Sequence, residues 1–148
     1  MPFKRPESAL VVLYDQHCRV LILQREDDPA FWQSVTGTLE LNEDPIETAY
    51  REVWEETGIR LQQSANHIVD HKLTNQYEIR SQWRYRYPAG TRLNTEHVFS
   101  ARINSQLPIV LSEHLAYKWV SKAEAIATLW SPSNREAVER FVPEENKW

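Results

Sequence analysis

The stretch Gly37–Ile59, GTLELNEDPIETAYREVWEETGI, carries the fold assignment. Asp44-Pro45-Ile46-Glu47 reads as a helix start, with Asp44 as N-cap, Pro45 in the first helical position and Glu47 reaching back to the cap. Gly58 is placed to stop that helix in a left-handed conformation. Ile46, Ala49, Tyr50, Val53 and Thr57 recur at helical spacing, which predicts the buried face. Glu52, Glu55 and Glu56 gather on another face, roughly 120° around the axis.

Three carboxylates at i, i+3 and i+4 repel one another unless a positive charge sits among them. Hard oxygen ligands on one rigid helix suit Mg²⁺, which keeps several waters and takes phosphate oxygens. An acidic trio alone is most often a solvated stripe on a surface helix. That explanation leaves Arg51 beside the cluster, and the glycine at a fixed distance before it, unaccounted for.

Gly37, five residues, Glu43, seven residues, then Arg51-Glu52-Val53, Glu55-Glu56 and Gly58-Ile59 resemble a complete Nudix box. Average residue usage puts chance agreement on the order of one in a billion per starting point, so the spacing is not accidental. The resemblance implies an α/β (α+β) fold, the Nudix-type α/β/α sandwich with a mixed β-sheet between helices. It also implies a metal-dependent hydrolase that cuts a phosphoanhydride. By the same resemblance Glu52, Glu56 and the backbone carbonyl of Gly37 ligate metal, with Glu55 beside them. Arg51 orients the glutamates by ion pairing, and Glu43 supports the loop and helix start. Two positions depart from the common pattern. Asn42 stands where glycine is frequent, and asparagine tolerates left-handed geometry. Thr36 stands where many members have a second glycine, which changes a side chain facing the phosphates.

At 148 residues the chain is long enough for one domain, residues 1–148, with a substantial core. A net charge of −4 disfavours a general nucleic-acid binder, which would present a basic face. The lone Cys18 excludes an intramolecular disulfide and fits a reducing compartment. No export-type or membrane-spanning apolar run is present, so the expectation is a soluble cytoplasmic protein. Nothing implies an obligate protein partner.

Ser8–Tyr14 and Val20–Arg25 predict a hairpin, and Ser34–Gly37 a short strand leading into the box. His67–Tyr87 alternates over part of its length, which predicts a strand with Tyr77, Ile79, Trp83, Tyr85 and Tyr87 on one face. Trp83 and Tyr85 are expected in the core. Pro88-Ala89-Gly90 turns the chain into a returning strand, Thr95–Ile103. Tyr117–Val120 is a further strand, and capping-box patterns at Ser121 and Ser133 start two more helices.

Further from the box, DDPAFWQSVTG, TEH, LSEHLAYKWV and WSPSNREAVERFV resemble the Nudix branch of bacterial dihydroneopterin triphosphate diphosphatases. The likeness runs from Lys4 to about Phe141. It implies a small-molecule phosphoanhydride substrate, a pterin triphosphate, cleaved with release of pyrophosphate in folate synthesis. It also implies Mg²⁺ as cofactor, for which Mn²⁺ can substitute. Glu113 then completes the metal site from a loop opposite the helix. Lys4 and Arg25 meet the phosphates, with Arg5 as a less favoured substitute for Lys4. Thr36 and Ser131 contribute nearby, and Tyr77-Glu78-Ile79-Arg80 lines the pocket. His114 reads as a structural loop histidine. Either Glu55 or Glu113 accepts the proton of the attacking water. The alternatives are another Nudix specificity, such as a nucleoside triphosphate or other nucleotide pyrophosphate, or a non-catalytic Nudix-fold module. The second usually lacks box glutamates, and here Glu52, Glu55 and Glu56 are all present.

Overall fold

A computed structural model describes residues 3–144. Along the chain these form β1 (Glu7–Tyr14), β2 (Val20–Arg25), β3 (Trp32–Gln33), β4 (Val35–Thr38) and α1 (Pro45–Thr57). Then follow β5 (Val69–Glu78), β6 (Leu93–Arg102), β7 (His114–Val120), α2 (Lys122–Thr128) and α3 (Pro132–Phe141). The strands make one mixed sheet in the order β3-β2-β1-β6-β5, with β4 alongside β1 and β7 alongside β2. β1 and β6 run parallel from Glu7↔Thr95 to Tyr14↔Arg102, and the other pairs are antiparallel.

β1 explains the layering. It reads as one apolar run because both of its faces are covered. Ala9, Val11 and Leu13 pack with Ala49 and Val53 of α1 on one side. Leu10 and Val12 pack with Ala125, Ala137 and Val138 of α2 and α3 on the other. The expected sandwich of helices around a mixed sheet is therefore the observed one. The β1–β2 hairpin pairs only next to its turn, at Tyr14↔Val20. Beyond that point the two strands part, and β4 takes the freed edge of β1 from Ser8↔Thr38 to Val11↔Val35. This parting delivers the box loop to the side of α1. No described helix is long and apolar enough to cross a membrane.

α1 starts and stops where the sequence predicts. Glu47 accepts the Asp44 backbone N–H at 2.9 Å. Gly58 ends the helix at φ +77°, its N–H donating to the Trp54 carbonyl at 2.9 Å. Asn42 adopts φ +65°, the left-handed geometry expected of it.

Three expectations need correction. The strand predicted over His67–Tyr87 stops at Glu78, and Ser81–Arg86 form a 3₁₀ turn. The alternation of aromatics and arginines there does not mark two faces of a sheet. It marks cation–π pairing, with the Arg25, Arg80 and Arg86 guanidiniums 4.4, 4.8 and 5.9 Å from the Trp83 ring centre. Arg84 locks the turn by donating to the Ile79 carbonyl at 2.8 Å. Trp83 is consequently half-buried and Tyr85 exposed, so neither belongs to the core. The last helix begins earlier than Ser133: Ser131 is the N-cap, because Pro132 has the backbone geometry of a first helical turn.

Gly58 also approaches Val110, whose Cβ would lie 3.0 Å from a Cβ added at Gly58. Gly58→Ala is expected to destabilise the fold by about 1–2 kcal/mol, from left-handed strain plus this crowding, measured by urea unfolding.

Candidate active site

The box loop leaves β4, turns at Asn42 and enters α1, so Gly37 comes to rest directly against Glu52. A Cβ at Gly37 would overlap the Glu52 carboxylate, which is the physical reason this position is glycine. Glu52 and Glu56 lie one helical turn apart with only 12% and 6% of their side chains exposed. The two carboxyls are close neighbours, and the negative charge of each opposes ionisation of the other. Burial raises the affinity of both for protons, most strongly at Glu56. Glu56 Oε1 is buried without a hydrogen-bond partner.

Arg51 is the hub of the surrounding charges. Its guanidinium donates to both Glu43 carboxylate oxygens at 2.8 Å, to Glu52 at 2.6 Å, to Glu55 at 3.1 Å and to the Thr38 carbonyl at 3.0 Å. Glu43 also accepts the Thr48 hydroxyl at 2.6 Å and the Glu40 N–H at 3.0 Å. The Arg51 hydrogen bonds hold the Glu43 carboxyl down to about 2 despite desolvation. The loop is held from outside as well. His97 meets Glu7 at 2.7 Å, Glu7 accepts from Arg5 at 2.7 Å, and Arg5 donates to the Glu40 carbonyl at 2.9 Å. Arg5 thus supports the loop backbone, a task that the sequence alone did not reveal.

A cavity of about 1240 Å³ opens over these groups. It is lined by Lys4, Arg25, Thr36, Gly37, Arg51, Glu52, Glu56, Tyr77 and Glu113 among the residues singled out from sequence. Glu113 lies just before β7 and is exposed. Among the described residues, no three His, Cys, Asp or Glu side chains already stand close enough together to hold a metal ion. Glu55, Glu78, Ile79, Arg80 and Ser131 do not line the cavity. Glu55 turns toward Arg51, and Glu78 is exposed between Arg84 and Arg92. Ile79 is buried, Arg80 pairs with Asp28 at 3.1 Å, and Ser131 caps α3.

The structure adds Arg86, His114, Trp83 and Asn94 to the cavity lining. Arg86 is placed on the far face by a β reading of its segment, and the 3₁₀ turn brings it round beside Lys4, whose N–H donates to the Arg86 carbonyl at 2.8 Å. Burial, and then the Arg86 and Arg25 charges, lower the affinity of Lys4 for its proton. Arg25 is held in a two-point pair with Asp27, at 2.7 and 2.6 Å, while it stacks on Trp83. His114 sits 3.9 Å from Glu56 and 3.2 Å from the Gln33 amide nitrogen, and burial favours its neutral ring. One end of the cavity is therefore acidic and buried, and the adjoining wall is cationic. That pairing suits an anionic ligand bridged to carboxylates by a metal cation.

Two consequences follow from this geometry. Gly37→Ala should displace the Glu52 carboxylate and reduce turnover at least about a hundredfold, with a melting temperature within about 4 °C of the parent. The Glu43 carboxylate is depressed in the fold, so its stabilisation is present above its unfolded pKa and is lost as pH falls through about 2. Glu43→Gln should cost about 2–3 kcal/mol at neutral pH, and that cost should shrink by roughly 1 kcal/mol near pH 3.5 in urea melts.

The model of the NUDIX domain matches residues 4–141. The chain is 47% identical over 141 residues to the dihydroneopterin triphosphate diphosphatase of Escherichia coli K12, covering 95% of this chain and 94% of that one. It is 40% identical over 143 residues to the enzyme of the same name from Haemophilus influenzae, covering 96% and 90%. The solved E. coli dihydroneopterin triphosphate pyrophosphohydrolase superposes with a TM-score of 0.90 at 46% identity, over 96% of this chain and 98% of that one. A Caenorhabditis elegans Ap4A hydrolase shares the fold at 22% identity, with a TM-score of 0.69 over 91% and 93% of the two chains. With the box geometry intact and the family match running almost end to end, the chain belongs to the Nudix family of hydrolases.

Proposed function

We propose that this chain hydrolyses 7,8-dihydroneopterin 3′-triphosphate to the monophosphate and pyrophosphate, with Mg²⁺ as the working metal. The observation that carries this reading is the near-full-length likeness to enzymes of that name, at 47% identity over 95% of the chain. The site's own chemistry agrees with it. A buried carboxyl pair with one unpartnered oxygen suits a cation, which would offset the desolvation that the pair now carries. Glu52, Glu56, the Gly37 carbonyl and Glu113 are the groups that would hold it. Once bound, a divalent ion supplies Lewis-acid neutralisation of phosphate charge and a more acidic water.

The remaining work falls to side chains. Lys4, Arg25 and Arg86 meet the phosphate oxygens, and Asp27 with Trp83 keeps Arg25 aimed before substrate arrives. Arg51 fixes the Glu52 carboxylate in place and stays out of the reaction itself. Of Glu55 and Glu113, the two carboxylates that could take the proton of the attacking water, Glu113 lines the cavity, which supports it in that role. Glu55 instead points to Arg51.

Pyrophosphate and phosphate release should be followed with dihydroneopterin triphosphate and the common nucleoside triphosphates, with Mg²⁺ and with EDTA. A strong preference for the pterin, pyrophosphate as product and loss of activity in EDTA are expected. Equal or faster turnover of nucleotides would replace the substrate assignment. Glu56→Gln should lose at least about a hundredfold in turnover while melting no earlier than the parent, since an amide costs less to bury than a carboxylate.

A further inference from the structure

The inner end of the cavity holds a polar cluster that the phosphate chemistry does not use. Thr38, Ser8, Asn94 and Tyr77 stand on four successive strands, β4, β1, β6 and β5. Ser8 pairs directly with Thr38 at the start of the box loop, Asn94 and Tyr77 lie further across the sheet, and all four line the cavity. Three strand spacings separate Thr38 from Tyr77, about 14 Å across the sheet. A heterocycle joined to its phosphates through a short carbon chain spans a similar length.

Asn94 is 1% exposed and Ser8 5%, whereas the cavity mouth carries Leu41 at 85%. The Asn94 amide donates to the Ser8 hydroxyl at 2.8 Å, which fixes its orientation and leaves it one N–H and its carbonyl. Tyr77, paired with Asn94 across β5 and β6, lines the cavity beside them. Tyr87 adds a second aromatic wall. Trp83 does not compete for that task, because guanidinium groups already lie over its ring. Two residues along β6 from Asn94, the Glu96 carboxyl is 3% exposed and its Oε1 has no hydrogen-bond partner. Buried polar groups gathered this way, with capacity to spare, belong to a recognition surface more than to a packing core.

We propose that Asn94, held by Ser8 at the inner end of the cavity, selects the heterocycle by hydrogen-bonding a cyclic-amide edge. Such an edge places an N–H beside a C=O, as pterins and guanine do and adenine does not. A side-chain amide matches it with one acceptor and one donor. The inference rests on the triphosphate-hydrolase reading of the same site and adds the group that reads the base. A site built to hydrogen-bond its ligand rejects an analogue with the wrong edge because the buried amide is then left unpaired.

The test is kcat/KM for dihydroneopterin triphosphate, GTP and ATP with the parent, Asn94→Leu and the isosteric Asn94→Asp. The parent should favour both cyclic-amide substrates over ATP. In either variant that preference should fall at least about fivefold, mainly through KM, the low end of what a lost buried hydrogen bond does. If Asn94→Leu does not fold, the Asp variant alone is read. A parent that does not favour GTP and the pterin over ATP, or a variant that keeps the preference within that margin, overturns the assignment. Failure of the proposed substrate looks different: GTP then outruns the pterin while Asn94 still governs GTP against ATP.

Discussion

Two carboxyls on one helix are buried against a glycine backbone, and a single arginine keeps that arrangement tolerable. Glu52 and Glu56 sit where desolvation opposes their charge, so each needs support from the residues around it. Arg51 supplies it by tying Glu52 to Glu43 and to the Thr38 carbonyl, which joins α1 to the loop before it and to β4. The same constraint explains Gly37, since any side chain there would occupy the space of the Glu52 carboxylate. It also explains why the loop is anchored again from the sheet through Arg5, Glu7 and His97. A loop packed this closely against Glu52 cannot drift relative to the helix that carries the carboxylates.

The opposite wall answers this acidity with cations that are themselves restrained. Arg25 is clamped by Asp27 and Trp83, and Lys4 is crowded by Arg25 and Arg86. Like charges gathered without an anion are a cost to the fold, and a bound triphosphate would relieve it. The site therefore holds repulsion of both signs, and a metal with a polyphosphate relieves both at once. That is a property of the whole constellation, and no residue in it shows the effect alone.

How much of this was legible in the chain varies with the range of the interaction. The limits of α1, the left-handed Asn42 and Gly58, and the inward face through Ala49 and Val53 follow from spacing within a few residues. The run of apolar residues in β1 likewise announces a strand covered on both faces. The segment after β5 is ambiguous in sequence because aromatic and arginine residues alternate, a pattern that a strand and a cation–π stack produce equally well. Choosing between them requires knowing that Arg25, more than fifty residues earlier, lies over Trp83.

Spacing along the chain thus specifies the acidic helix, its caps and the glycine that lets a carboxylate approach the backbone, because each of those is a local contact. The cavity is another matter, since its walls come from β1, β2, β4, α1, β5, the 3₁₀ turn, β6 and the start of β7. Folding brought Arg86, His114 and Asn94 into it and left Glu55, Glu78 and Arg80 outside. A side chain's type limits the chemistry it can do. Whether it faces that cavity depends on strand register and on how deeply it is buried, and distant segments set both when they pack together.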